Sequence, residues 1–462
     1  MRTILFSFSS QPVFKNLFFF PGCAFEQILA RLKHDTSVRV VFVIPDVLAH
    51  KYPHLFEGVL PDRCAVEYVK IPARFTFAQR MFRFFYSYLI YTSTTQLLAT
   101  MGTRPDEMPP GGRLLAPCKS LIASTLGRSR VIKTTVVPLF FNRLFRERPF
   151  TVLFEKYAPE LVFVPNIYGW FDTLLLREAR AHGVKTMGMP ANWDHMDKYF
   201  MPFRVDHLLV QNDQMRDAAM REQCYRENQV SLVGYPHFDF ITGKTYLMSR
   251  EDMLRYLGFP GHARFILYLS GSVYCPDEPD IIEELLKWAD EKRFAYDTYI
   301  VIRPYLGGRF KDKDFDEKKF NRFVEHPRVY RYQRPSWTNL DETNIFLNIM
   351  AHADVMVTAF STAALETAVL DRPLVGVGFD GYQVRPLHRS VRRFEYFTHF
   401  RDVFRTGAIK IARTFDDLFR LTDRYMRDPK WDADKRQLLR EKLCYKLDGK
   451  ASERIVGFLF KK

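Results

Sequence analysis

Short apolar runs alternate with amphipathic segments of helix length along most of this chain. The first run, residues 3–9, is followed by a helical pattern over Ala24–Lys33 and then by the apolar run Val38–Pro45. Runs of this length separated by helices predict βαβ units and parallel sheets, whose central strands are buried on both faces and so read as continuous apolar stretches. The alternation resumes at Leu161–Pro165. It continues through a helix near Asp172–His182, strands at Lys185–Met189 and His207–Val210, and a helix over Met215–Glu222. The run Gln229–Pro236 follows, and its Gly234 and Pro236 end the first sheet. The same rhythm then restarts with Phe265–Leu269, a helix over Glu278–Lys292, Tyr299–Pro304, Val355–Thr358 and Leu374–Val377.

Two sheets imply two domains, and 462 residues suit two cores of ordinary size. The expected architecture is α/β, with two Rossmann-like parallel-sheet domains facing one cleft. Residues 1–240 form the first domain, residues 241–435 the second, and residues 436–462 a basic C-terminal helix packed back on the first. Residues 74–149 are irregular and basic and read as a helical insertion in the first domain. The charge run Lys311–Phe320 reads as a solvated face.

Composition narrows the class. An apolar fraction of 47% against 26% charged residues excludes a largely disordered chain. The net charge of +15 favours anionic partners. Phe is abundant and often stands beside Arg, as in Arg74-Phe75 and Arg143-Leu144-Phe145-Arg146, a pairing that suits a membrane headgroup layer. An anionic membrane surface is therefore an expected partner. The uncharged stretch between Arg83 and Arg104 is long enough to span a bilayer, but Ser87, Thr92, Ser93, Thr94, Thr95, Gln96 and Thr100 mark it as a core or interfacial helix. Six cysteines show neither metal-ligand nor disulfide-scaffold spacing. The N-terminus reads as a strand instead of a signal peptide, because Ser and Gln interrupt the apolar run early. A cytoplasmic location, peripheral on the inner face of the plasma membrane, is expected.

The stretch Ala351–Val377 carries the most chemistry. It parses as a strand, a turn, a helix beginning at Ser361 or Thr362, and another strand. Unpaired N–H groups at such a helix start can receive a diphosphate, with Ser361 and Thr362 adding hydroxyls. Glu366, about one turn further in, can accept hydrogen bonds from ribose hydroxyls. Two readings stand side by side: this ligand site, or an ordinary helix cap followed by a first-turn acid.

This stretch resembles the donor-binding segment of GT-B glycosyltransferases, in which an Asp-hydrophobic strand, a Ser-Thr turn, a Glu and a following Pro hold the nucleotide diphosphate. Non-hydrolysing UDP-N-acetylglucosamine epimerases and teichoic-acid glycerophosphotransferases share that plan. A second block, Asn192-Trp193-Asp194-His195-Met196-Asp197-Lys198 with Val205–Asn212 and Val233–Asp239, is similar to surface-polysaccharide glycosyltransferase-like proteins. There a Trp-Asp-Asn loop and a Gly-x-Pro-x-Phe-Asp turn recur, and His195 stands where the Asn is expected. The resemblance covers roughly residues 150–430 and implies transfer of a sugar from a nucleotide-sugar donor to a cell-surface glycan or lipid-linked acceptor.

The loop Asn192–Lys198 follows a strand, so it lies at the carboxyl edge of the first sheet, where such sheets bind ligands. Asp194 or His195 can act there as general base for an acceptor hydroxyl, His having the better matched pKa. The bland alternative is Trp193 in the core and Asp194 as a cap. Ser270, Gly271 and Ser272 follow another strand, and the glycine lets backbone approach a phosphate. Arg303 before Pro304 offers a fixed fork to phosphate or, alternatively, a surface ion pair. Tyr305 and Leu306 depart from the Arg-Pro-His-Pro of the resembling proteins.

His237 and Asp239 are hinge or catalytic residues. Asp312, Asp314 and Asp316 match a DxD pattern by letters only, within a charged run, so no metal is expected. No cofactor is expected beyond the nucleotide-sugar substrate. No nucleic-acid-binding signature appears, so no nucleic acid partner is expected. Three rivals stand: a CDP-glycerol-type glycerophosphotransferase, a nucleotide-sugar epimerase, and a non-catalytic nucleotide- or polyanion-binding protein.

Overall fold

The structure is a computed structural model. It describes the chain apart from residues 50, 52–55, 57–59, 73, 104–107, 110, 272–273, 305–314, 333–338, 362 and 462. The chain divides into two compact units, one of Met1–Gln96, Leu115–Phe240 and Tyr445–Lys462, the other of Leu97–Leu114 and Ile241–Cys444.

The first unit holds a seven-stranded sheet of β1 (Arg2–Ser7), β2 (Val38–Pro45), β3 (Cys64–Val69), β4 (Leu161–Val164), β5 (Lys185–Gly188), β6 (His207–Val210) and β7 (Val230–Leu232). Their spatial order is β3-β2-β1-β4-β5-β6-β7, and every pair is parallel. The second unit holds β8 (Arg264–Leu269), β9 (Thr298–Arg303), β10 (Val329–Arg331), β11 (Val355–Thr358), β12 (Leu374–Val377) and β13 (Ile409–Ala412), ordered β10-β9-β8-β11-β12-β13 and again all parallel. The strand order reverses between β1 and β4 in one sheet and between β8 and β11 in the other. Open parallel sheets present their ligand crevices at the carboxyl ends of the strands flanking such a reversal.

The apolar runs expected as strands are the central ones, with Val40–Ile44 and Ile300–Ile302 buried throughout. In the second unit, Ile266, Tyr268, Ile300, Ile302, Val355 and Val357 pack with Ile281, Leu285 and Trp288 of the helix Glu278–Asp290. β3, β10 and β13 escape the apolar pattern because they lie at sheet edges and are only partly buried.

The basic region departs from expectation in its boundaries and its packing. Residues 97–114 belong to the second unit instead of to an insertion in the first. The long uncharged stretch is broken between the helices Phe77–Ser87 and Ser93–Met101, with Leu89 and Ile90 buried in the break. Among the described residues no helix is long and apolar enough to cross a membrane. Several of the Arg–Phe neighbours also turn inward. Phe141 and Phe145 are core residues packed tilted and edge-on against Trp170, and the Arg83 guanidinium lies 4.3 Å from the Phe75 ring centre and 4.9 Å from that of Trp170.

The charge run is likewise not a plain solvated face. Phe315 and Phe320 are buried, and Lys319 Nζ lies 2.6 Å from carboxylate oxygens of both Asp280 and Glu283, while residues 311–314 lie outside the described residues. At the C-terminus, the helix Ala433–Leu443 belongs to the second unit. Its Arg436 reaches Asp371 Oδ1 at 2.9 Å. The last helix, Ala451–Phe460, belongs to the first unit and packs on Ala24–His34.

Candidate functional site

Several residues singled out from the sequence meet at the β8–β11 reversal of the second sheet. The chain leaving β8 supplies Ser270 and Gly271, the chain leaving β11 supplies Ser361, and β9 ends on Arg303. Ser270 N–H donates to Arg303 O at 3.0 Å, and the Thr358 hydroxyl donates to Leu269 O at 2.9 Å, so these strand ends are tied together. A Cβ on Gly271 would lie 3.2 Å from Ala359 Cβ, tighter than ordinary contact, so the two loops approach because this residue is glycine.

Arg303 makes no surface ion pair among the described residues. Its guanidinium carbon lies 4.3 Å from the Phe346 ring centre, and its buried Nε has no hydrogen-bond partner among the described residues. Burial draws its pKa below the usual arginine value, and the charge of Glu366 opposes that pull. Glu366 sits in the first turn of the helix Ala363–Val369 and is partly exposed. A guanidinium fork with a spare donor beside an acceptor carboxylate fits a phosphate together with a neighbouring hydroxyl.

Other members of the expected set are engaged differently. The Ser270 hydroxyl donates to one oxygen of buried Glu278, and Gly271 N–H donates to the other at 2.8 Å. These two donors brace the loop against Glu278. Ser361 Oγ accepts from Ala363 N–H at 3.3 Å, which is helix-cap geometry. Ser272 and Thr362 lie outside the described residues. Asp354, at the head of β11, lies at the opposite strand end and binds Arg250 at 2.7 Å, Arg264 at 3.0 Å and Phe265 N–H at 2.9 Å. Of the letter-only DxD residues, Asp316 caps the helix Glu317–Val324 by accepting from Lys319 N–H, and Asp312 and Asp314 lie outside the described residues.

In the first unit, the Asn192–Lys198 loop leaves the carboxyl edge of the sheet just after β5. Asn16, Gln211 and Gln223 pin it by donating to the carbonyls of Ala191, Pro190 and Met196. The carboxylate of Asp197 accepts from the Thr94 hydroxyl at 2.7 Å. Trp193 is buried, as the structural reading expected. Lys198 Nζ binds Asp194 directly. Burial works against that ammonium, but Asp194 outweighs it and holds Lys198 above the usual lysine value. His195 Nε2 lies 3.9 Å from Asp194 Oδ1, and the ring packs edge-on against Tyr168 and Tyr199.

Two residues of the Gly-x-Pro-x-Phe-Asp turn, Gly234 and Asp239, meet the last helix. Gly234 has φ of +85° and approaches Ala451, and the Asp239 carboxylate accepts from Ala451 N–H at 3.0 Å and Ser452 N–H at 2.8 Å. Asp239 therefore caps the last helix. That partner lies more than two hundred residues away, so the local sequence carried no sign of it.

Asp172 is a buried carboxylate that the sequence did not single out. It is fully buried at the start of the helix Trp170–Ala181, beside the β1–β4 reversal, and accepts from the Ser9 hydroxyl. Burial pushes its carboxyl up to about 7, against the opposing pull of the Ser7 and Ser9 hydroxyls.

A model of the CDP-glycerol:poly(glycerophosphate) glycerophosphotransferase family matches residues 327–461. No curated protein matches the chain. Three solved structures resemble it over nearly its whole length. The UDP-GlcNAc 2-epimerase from Neisseria meningitidis, bound to UDP-GlcNAc, gives a TM-score of 0.56 at 10% identity, covering 100% of both chains. Another UDP-N-acetylglucosamine 2-epimerase gives 0.55 at 13% identity, covering 99% of this chain and 96% of that one. A glycosyltransferase from Rickettsia africae gives 0.50 at 9% identity, covering 100% and 99%.

Proposed function

We propose that this chain, which has the fold of the GT-B-like, glycosyltransferase-related superfamily, transfers a group from a nucleotide-activated donor held at the carboxyl edge of its second sheet. The observation that carries the reading is the convergence of Arg303 and Glu366 on that edge, with one guanidinium N–H left without a hydrogen-bond partner among the described residues. Arg303 binds the diphosphate and stabilises the charge that develops on it as it leaves. Glu366 accepts from the ribose hydroxyls. In the first unit, His195 takes the proton of the attacking acceptor hydroxyl, and the Asp194–Lys198 pair positions it. The group moved is a sugar, and the acceptor a cell-surface glycan or a lipid-linked molecule at an anionic membrane surface.

A second reading is glycerophosphate transfer, favoured by the family match over residues 327–461. The two reactions leave different products. Sugar transfer breaks the bond between the anomeric carbon and the diphosphate, releasing a nucleoside diphosphate. Glycerophosphate transfer from CDP-glycerol breaks the diphosphate itself and releases CMP. Incubation with UDP-, GDP-, CDP- and ADP-linked sugars and with CDP-glycerol, read by mass spectrometry of the nucleotides, separates them. A diphosphate product supports the first reading, CMP the second, and conversion of a donor without an acceptor supports an epimerase. No nucleotide product or donor conversion under any condition, with folded protein, contradicts the proposal.

A further inference from the structure

We propose that a cavity of about 350 Å³ in the first unit, lined by Tyr91, Arg128, Lys133, Arg221, Glu222 and Cys224, binds the phosphate group of a phosphorylated ligand. This site is separate from the residues assigned to donor and acceptor and does not depend on that assignment.

The charges carry the inference. Arg221 Nε lies 2.9 Å from Glu222 Oε1, so that carboxylate is neutralised within the cavity wall. Two cations are left without a carboxylate partner among the described residues. Arg128 lies with its guanidinium 4.8 Å from the Tyr91 ring centre, and both side chains are exposed at the cavity. Lys133 is buried, with its ammonium donating to Glu222 O at 2.7 Å. Burial draws Lys133 below the usual lysine value, and the nearby acidic groups offset this only in part. An ammonium taken out of water with only a carbonyl as partner is costly, and an anion entering the cavity would offset that cost.

The local backbone is shaped to hold this arrangement. Lys133 lies in a π-helical turn, Ile132–Val136, and such turns concentrate at functional sites. A Cβ on Gly127 would lie 3.1 Å from the Leu89 carbonyl carbon, so the chain beside Arg128 packs that closely only as glycine. The cavity volume is near the lower end of ligand pockets, enough for a phosphate ester or diphosphate. Leu126 and Val131, the exposed apolar neighbours of Arg128 and Lys133 in the chain, suit a phosphate carried on a lipid, while a soluble phosphate ester presents the same chemistry.

Cys224 in the cavity wall gives a local readout, and exposed Cys118 gives an internal reference. The experiment measures alkylation rates of both thiols in the full chain by peptide mass spectrometry. The probes are inorganic pyrophosphate, phosphatidylcholine vesicles, and the same vesicles carrying phosphatidic acid. At ten times its dissociation constant a bound probe slows Cys224 about tenfold by mass action, with Cys118 unchanged. Slowing by pyrophosphate alone identifies a soluble phosphate ester, and slowing by phosphatidic acid vesicles alone a lipid headgroup. Slowing by both establishes the shared phosphate chemistry.

Arg128→Ala and Lys133→Met should each abolish the protection, while Glu366→Ala should keep it. Lys133 also pins a carbonyl at the end of the helix Asp213–Gln223, so its variant can lose stability. The exposed Arg128 does not share that role. An unchanged Cys224 rate with both anionic probes, equal protection by phosphatidylcholine alone, or protection that survives Arg128→Ala would overturn the proposal.

Discussion

Arg303 and Phe346 stack, with the guanidinium carbon 4.3 Å from the ring centre, and the guanidinium Nε remains buried without a hydrogen-bond partner among the described residues. The ring holds the fork by its face. Arg303→Lys keeps the charge but loses both the stack and the fork. It should weaken nucleotide binding about tenfold, as loss of about 1.4 kcal/mol predicts. Calorimetric titration checks this, with circular dichroism confirming that the fold is retained.

Asp354 belongs to the scaffold and not to the ligand. Removing its carboxylate strips Arg250 and Arg264 of their partner and leaves Phe265 N–H buried. Asp354→Ala should cost about 2–4 kcal/mol of stability, less than a fully buried pair because both arginines reach solvent. Urea denaturation measures the loss. Nucleotide affinity per folded molecule should stay within about twofold, a shift of roughly 0.4 kcal/mol.

Asp172 should impose a pH dependence on stability. Its folded pKa of about 7 lies above the unfolded value of 3.8, so the folded state binds the proton more tightly. That contribution is complete below the unfolded value and is lost as pH rises through the folded one. Between pH 5 and pH 8 the wild-type urea midpoint should therefore fall, and Asp172→Asn should fall less steeply. Identical slopes would show that Asp172 is not the group responsible.

Asp239 and Gly234 seat the last helix. Asp239→Ala removes the acceptor for two N–H groups at its start and should cost about 1–2 kcal/mol. Gly234→Ala adds a side chain at φ +85° and should cost roughly 1–2 kcal/mol. Thermal unfolding should show both losses, with protease cutting after Tyr445 accelerated.

What the sequence revealed and what it hid follow from the range of the interactions. Buried central strands such as Val38–Pro45 announce themselves as apolar runs, and the β8–β11 reversal gathers Ser270, Arg303 and Ser361 because each follows such a strand. The half-exposed edge strands β3, β10 and β13 have no run to read. Glu278 looks like an ordinary first-turn acid, and only the fold reveals that it occupies the donors of Ser270 and Gly271. Phe75 beside Arg74 read as part of a membrane face, and the fold stacks its ring on Arg83 within the unit.

The proposed diphosphate site of the second unit lies against Arg303 and Glu366. It is tested most directly by thermal unfolding of the full chain with UDP, GDP, CDP and ADP, repeated with Glu366→Ala. A ligand at one hundred times its dissociation constant stabilises by about 2.7 kcal/mol. Selective stabilisation by one nucleotide, weakened by Glu366→Ala, is the expected result. Stabilisation by none of the four, or stabilisation that Glu366→Ala leaves intact, would contradict it.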